Sequence, residues 1–280
     1  MNNYWLCGRF ELSLERPLLM GIVNVTPDSF SDGHQYLAAD RAIAHARNLV
    51  AQGADILDIG GESTRPGADP VPLETELERL LPVIEGLRDL DVPISIDTLK
   101  PEVMRAVLDA GADIINDITG FRSAAAREAV AQSRCGLCIM HMKGEPRTMQ
   151  NNPVYHDLKA EVRAFLFEQV QALRALGVQD ERMMLDPGLG LFGKTVQHNY
   201  TLLRDFRELD IDGLPWLIAL SRKSMIGAVT GRAVDERLAG SIAGMLAAVA
   251  RGAAVVRMHD VAAAHDALKV WLATQDPSKL

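Results

Sequence analysis

Leu18-Leu19-Met20-Gly21-Ile22-Val23-Asn24-Val25 is apolar at every position up to Asn24, and its reading decides the fold. A strand with one wet face alternates apolar and polar side chains. A run without alternation is a strand covered on both faces, as in a parallel sheet. Seven more such runs follow: Ile56 to Gly60, Ile94 to Asp97, Ile114 to Ile118, Leu137 to His141, Met183 to Asp186, Trp216 to Leu220 and Val255 to His259. Helix-length segments separate them. The clearest places Leu158, Val162, Phe165, Leu166, Val170, Leu173 and Leu176 on one face and stops at Gly177. Another starts at Asp97-Thr98-Leu99-Lys100-Pro101, with Thr98 or a neighbour as cap and the proline in the first turn. Eight strand-plus-helix units predict an α/β fold, a (β/α)8 TIM barrel. An open doubly wound sheet is the runner-up, because strand count does not prove closure.

In such a barrel, catalytic groups sit at the C-terminal ends of the strands. Those ends read Asn24, Gly60-Gly61-Glu62, Asp97, Asn116-Asp117, His141, Asp186, Ser221-Arg222-Lys223 and Arg257-Met258-His259-Asp260. One polar residue in that position is commonly a helix cap. A ring of them on one face reads as an active site.

Composition narrows the class. The 280 residues are 48% hydrophobic and 24% charged, which excludes disordered and low-complexity chains. Neither a Pro/Gly/Ser linker nor a shift in composition divides the sequence, so residues 1–280 are expected to form one domain. With 29 Lys+Arg against 37 Asp+Glu, the net charge of −8 argues against a nucleic-acid stripe or an anionic-membrane anchor. It permits a small anionic substrate held by a local basic cluster. Met1-Asn2-Asn3-Tyr4-Trp5 lacks the basic and apolar regions of a signal peptide, and Leu238 to Ala250 is too short to span a bilayer. A cytoplasmic protein is expected. Cys7, Cys135 and Cys138 are too few for a disulfide scaffold, and Cys135-Gly136-Leu137-Cys138 opens an apolar run with no second pair at zinc-finger spacing. They are expected to be buried thiols. Ser278-Lys279-Leu280 matches a peroxisomal address and is read as a chance match.

Gly188-Leu189-Gly190-Leu191-Phe192-Gly193-Lys194-Thr195 satisfies both G-x-G-x-x-G and the phosphate-loop pattern G-x-x-x-x-G-K-[ST]. As a Walker loop it would cradle phosphates in backbone amides, with Lys194 on their charge. It follows the sixth strand, however, directly after Asp186-Pro187. The next strand ends in Ser221 rather than a magnesium-binding Asp. A nucleotide hydrolase is therefore the weaker reading.

The other motifs agree among themselves. Gly21-Ile22-Val23-Asn24-Val25-Thr26-Pro27-Asp28-Ser29-Phe30-Ser31-Asp32-Gly33 resembles the first signature of the dihydropteroate synthase family. Gly53-Ala54-Asp55-Ile56-Leu57-Asp58-Ile59-Gly60-Gly61-Glu62-Ser63-Thr64-Arg65-Pro66-Gly67 is similar to the second. Ser95-Ile96-Asp97-Thr98, Ile115-Asn116-Asp117-Ile118, Met140-His141-Met142, Asp186-Pro187-Gly188, Ser221-Arg222-Lys223-Ser224 and Arg257-Met258-His259-Asp260 continue the likeness in family order. The family fold is a (β/α)8 barrel. The resemblance implies condensation of 6-hydroxymethyl-7,8-dihydropterin diphosphate with para-aminobenzoate, giving 7,8-dihydropteroate and diphosphate.

An aryl amine is a weak nucleophile, so departure of diphosphate should come first, by an SN1-like path with a cation stabiliser on one side and a diphosphate clamp on the other. By the same resemblance, Asp97, Lys223, Arg257 and His259 are the catalytic set. Asp97, Asn116, Asp186 and Lys223 read the polar edge of the pterin, between Ile118 and Met140 on its faces. Asn24, Thr64, Arg65, Arg257 and His259 hold the diphosphate, with Asn24 on a sparsely ligated Mg2+. The loops from Thr26 to Gly33 and around Thr64-Arg65 are expected to close over it. Phe30, Pro66, Phe192, Lys223 and Ser224 receive para-aminobenzoate, its carboxylate near a helix N-terminus. A homodimer is expected, as is typical of the family.

The likeness departs twice. The family pattern D-P-G-x-G-F-[GA]-K is one residue longer here before Phe192, and that insertion creates the Walker spacing. Ala219-Leu220 is bulkier than the glycine-containing version, which is expected to alter the aryl wall slightly. A folate-corrinoid type of pterin-binding methyltransferase would share the pterin set but needs no diphosphate clamp. A non-catalytic pterin-binding protein would be expected to lose Asp97 or Asn24.

Overall fold

The computed structural model describes residues 3–25, 35–62, 70–145, 149–150 and 152–279. It opens on an antiparallel hairpin, β1 (Tyr4–Cys7) and β2 (Phe10–Ser13), too short to stand out in the sequence pattern. Strands and helices then alternate: β3 (Leu18–Asn24), α1 (Gln35–Ala51), β4 (Ile56–Gly60), α2 (Leu73–Gly86), β5 (Ile94–Asp97), α3 (Pro101–Asp109), β6 (Ile114–Asp117) and α4 (Ala124–Ala131). They continue through β7 (Gly136–Met140), α5 (Leu158–Ala175), β8 (Met183–Asp186), α6 (Val196–Asp205) and β9 (Leu217–Ala219). Two helices, α7 (Ser224–Thr230) and α8 (Leu238–Val249), precede β10 (Val255–Met258) and α9 (Val261–Gln275).

The eight strands β3–β10 pair in parallel in the order β8-β7-β6-β5-β4-β3-β10-β9. A parallel bridge between Leu185 and Trp216 joins the two ends of that order and brings the sheet round on itself. The runner-up open sheet is thereby overturned in favour of the barrel.

Two apolar clusters explain why the strands carry no alternation. Leu19, Leu57, Ile59, Ile94, Ile96, Ile115, Leu137, Ile139, Leu185, Ile218 and Val256 pack outward with the helices. Leu18, Met20, Ile56, Ile114, Cys138, Met184, Leu217, Ala219 and Val255 fill the interior. Successive residues serve opposite apolar environments. The hairpin belongs to the inner cluster through Trp5 and Cys7, so it forms a floor under the barrel. Trp5 is fully buried, and its Nε1 donates to the Arg182 carbonyl at 3.0 Å. Arg182 donates in turn to the Cys135 and Val130 carbonyls, each at 2.8 Å.

Three local expectations need correction. Leu176 is 46% exposed, because α5 ends at Ala175 and Gly177 turns the chain at φ +82°. Thr98 does not cap α3: its hydroxyl donates to Glu76 at 2.7 Å, and Pro101 starts the helix after Lys100 without a side-chain cap. Leu220 belongs to the outer cluster and so does not thicken the inner wall. The three cysteines are buried free thiols, as expected, with Cys135 in the outer cluster and Cys138 in the inner one.

Candidate active site

Toward the C-terminal ends of the strands the inner face turns from apolar to charged. Register places Asp58 of β4 beside Ser95 of β5, and Asp97 of β5 beside Asn116 of β6. Asp58 is fully buried and accepts from Ser95 Oγ at 2.6 Å, Arg257 Nε at 2.5 Å and Asn116 Nδ2 at 3.3 Å. Asp97 accepts from Arg257 Nη2 at 3.2 Å through Oδ2, while its buried Oδ1 has no partner among the described residues. Burial pushes the Asp97 carboxyl up to about 7 against the pull of Arg257, with Asp58, Asp117 and Glu76 adding repulsion. A carboxylate so placed is held at the edge of ionisation and favours any positive charge brought to it.

Across the mouth, Lys223 donates from Nζ to the Leu189 carbonyl at 2.6 Å and lies 5.0 Å from the Phe192 ring centroid. Burial lowers its ammonium to about 8, with Asp186 opposing and Arg257 assisting. Asp186 is itself raised by burial, offset by Lys223 and by the Gly188 amide, which donates to it at 2.7 Å. Ile118, Met140 and Phe192 meet in one small apolar cluster with Met142 and Met149. The inserted residue therefore leaves Phe192 at the mouth. Ser224 opens α7 immediately after Lys223. The His259 backbone N–H donates to Ser221 Oγ at 3.2 Å, and the ring Nδ1 lies 3.0 Å from the same oxygen. Burial, then Arg257 and Arg222, lowers the imidazole to about 4, so it is neutral at pH 7.

The Walker-like loop is not a phosphate cradle. Its amides are already committed: Gly188 to Asp186, Gly190 to Asn199 at 2.7 Å, and Gly193 and Lys194 to Gln150 at 3.0 and 3.2 Å. Lys194 points inward, 1% exposed, with Nζ 2.8 Å from His141 Nδ1 and 3.2 Å from the carbonyls of His141 and Phe192. Gly188 (φ +69°) permits this turn, since a Cβ there would lie 1.9 Å from the His141 carbonyl oxygen. The loop's product is the Leu189 carbonyl that receives Lys223.

Asn24 ends β3 with its side chain exposed at the mouth. Thr64, Arg65, Pro66 and Phe30, together with the loop from Thr26 to Gly33, lie outside the described residues. Among the described residues no group of three or more His, Cys, Asp or Glu could hold a metal ion. Two features went unassigned in the sequence. Asp58 is the lone charge inside an apolar strand, which was the available signal, and the Lys194–His141 contact joins residues 53 positions apart.

A family profile described as "Pterin binding enzyme" matches residues 20–259. The dihydropteroate synthase of Neisseria meningitidis serogroup B is 51% identical over 275 residues, 96% of each chain. The chain belongs to the dihydropteroate synthases, within the pterin-binding enzyme family. Solved structures of dihydropteroate synthases share the barrel. The Burkholderia cenocepacia enzyme complexed with 7,8-dihydropteroate superposes with a TM-score of 0.90 at 53% identity, covering 99% of this chain and 98% of that one. The Xanthomonas albilineans enzyme with 4-aminobenzoic acid gives 0.92 at 48% identity, covering 99% of both. The methyltransferase and nucleotide-hydrolase alternatives fall away.

Proposed function

We propose that the barrel mouth carries out the dihydropteroate synthase reaction with the residues assembled above. 6-Hydroxymethyl-7,8-dihydropterin diphosphate loses diphosphate as its methylene C–O bond breaks. The amine nitrogen of para-aminobenzoate then bonds to the methylene carbon and gives up a proton, leaving 7,8-dihydropteroate. Asp97 carries this reading, because its buried Oδ1 has no partner among the described residues and is available to the pterin. Asp58 and Asp97 share Arg257, and Asp186 interacts with Lys223 and Lys194. The free oxygen of ionised Asp97 favours a cation on the pterin methylene.

Asn116, Asp186 and Lys223 read the pterin edge in this scheme, with Ile118 and Met140 against its faces. Arg257 and neutral His259 steady the departing diphosphate with Thr64 and Arg65. Phe192, Phe30, Pro66 and Ser224 receive the aryl amine with Lys223. Asn24 offers one exposed amide oxygen, which fits a magnesium ion held mainly by diphosphate and water. Bound there, the ion would neutralise charge on the leaving group.

Residues 1–280 act as one domain in the cytoplasm; no helix among the described residues is long and apolar enough to cross a membrane. A homodimer is part of this reading, on the likeness to the family alone.

Incubating the protein with the pterin diphosphate, para-aminobenzoate and Mg2+ should release diphosphate only when the amine is present. Asp97→Asn should lower kcat by about 100-fold or more while KM changes little. Amine-independent release, or equal losses in kcat and affinity, contradicts the scheme.

A further inference from the structure

Asp58 touches no substrate in the scheme above, yet three other strands converge on it. Ser95 reaches it from β5, Asn116 from β6 and Arg257 from β10. We propose that Asp58 is the positioning residue of the pterin pocket: it holds Arg257 by the Nε edge, keeping one Asp97 oxygen free for the pterin, and turns the Asn116 amide so that its carbonyl faces the ligand. The inference deepens the reading of Asp97 and Asn116 given above and rests on it.

The geometry of guanidinium pairing carries the first half. A guanidinium alone with one carboxylate forms two parallel hydrogen bonds and occupies both oxygens. Arg257 instead lies between two carboxylates, with Nε on Asp58 at 2.5 Å and Nη2 on Asp97 at 3.2 Å. Asp58 takes the closer bond, so Asp97 spends only Oδ2 on the arginine and keeps Oδ1 unpartnered among the described residues. The second half follows from donor chemistry. An ionised carboxylate accepts and never donates, so it selects the NH2 end of Asn116. The ligand then meets an acceptor, matched to a pterin ring N–H. Burial of the Asp58 charge is compensated by the same three donors.

Asp58→Asn tests it, because the change keeps shape and removes charge. The charged and titratable groups around Asp97 are Asp58 from β4, Glu76 from α2, Asp117 from β6 and Arg257 from β10, with Lys223 and Cys138 also in its field. Removing Asp58 relieves one repulsion and frees Arg257 to fork onto Asp97. Both effects favour ionised Asp97, so the acid limb of kcat/KM should move to lower pH by about one unit. Turnover at pH 8 should fall about 100-fold, since Arg257 then quenches the carboxylate. Lost turnover with an unmoved acid limb means a merely structural role and overturns the inference.

A second measurement does not depend on that variant folding. In Asp97→Asn, the Arg257 Nε–H signal in 15N NMR should stay protected from exchange, because its anchor is Asp58. Loss of protection there overturns the proposal. Wild-type turnover in Asp97→Asn would instead overturn the role given to Asp97 itself, separating the two failures.

Discussion

Lys194 offers a test of the loop's architecture through stability alone. Its ammonium is 1% exposed, and burial lowers it from 10.5 to about 7 despite the favourable charge of Asp186. Lys223 and Arg122 add repulsion. In the unfolded chain the lysine regains its ordinary value. Between those two values the unfolded state binds more protons than the folded one, so stability rises with pH in that window. Below pH 7 both states are protonated and the fold bears the full cost of burying the charge. Each pH unit inside the window adds about 1.4 kcal/mol once the folded lysine is neutral, and less near pH 7, where it is still half-protonated. From pH 7 to pH 9 the gain from this residue is therefore about 2 kcal/mol. Lys194→Met preserves most of the volume and removes the titration. It also leaves the carbonyls of His141 and Phe192 without their donor, a loss of about 1–3 kcal/mol per buried group left bare. Urea unfolding of both proteins at pH 7, 8 and 9 reads the difference. The wild type should gain on the variant by about 2 kcal/mol across that range. Lys223 and the buried carboxylates titrate in both proteins and largely cancel. Parallel curves would show that Lys194 is not a desolvated lysine and sink the account of the loop.

Other outcomes follow from the same geometry. Asp97 must be ionised and Lys223 protonated, and they stand at about 7 and about 8, so kcat/KM should peak between those values; a flat profile from pH 6 to 9 contradicts both assignments. Chelating divalent metal should abolish turnover and leave affinity for 6-hydroxymethylpterin intact, with Mg2+ restoring the rate. Undiminished turnover in chelator would remove the metal from the scheme. Trp5→Ala should destabilise the protein by about 3–5 kcal/mol, seen as a lower urea midpoint, because it empties the barrel floor. A change under about 1 kcal/mol would mean the hairpin is ornamental.

The strands were legible because burial on both faces leaves an apolar signature that survives without context. β1 and β2 have four residues each, half or more of them exposed or partly so, and nothing local marks them as a floor. Closure was illegible for another reason: it rests on one bridge between Leu185 and Trp216, a tertiary event. The site divides in the same way. Asp97, Asn116, Asp186, Lys223 and Arg257 were readable as neighbours because strand ends collect on one face. Asp58 sits below that rim, where its meaning depends on an arginine 199 positions away. Thr98 had the composition of a cap, but Glu76 from another helix claimed its hydroxyl.

That separation of 199 residues bears on how the chain matures. Asp58 enters the second strand of the barrel, and its counter-charge arrives with the last. A barrel assembled from the first seven strands would enclose Asp58 and Asp97 with no arginine between them, and an uncompensated buried carboxylate costs about 3–5 kcal/mol. The interior thus resists early closure and accepts it once β10 is in place. The ion pair that shapes the pocket also acts as a check on completeness, penalising the truncated chain and rewarding the finished one.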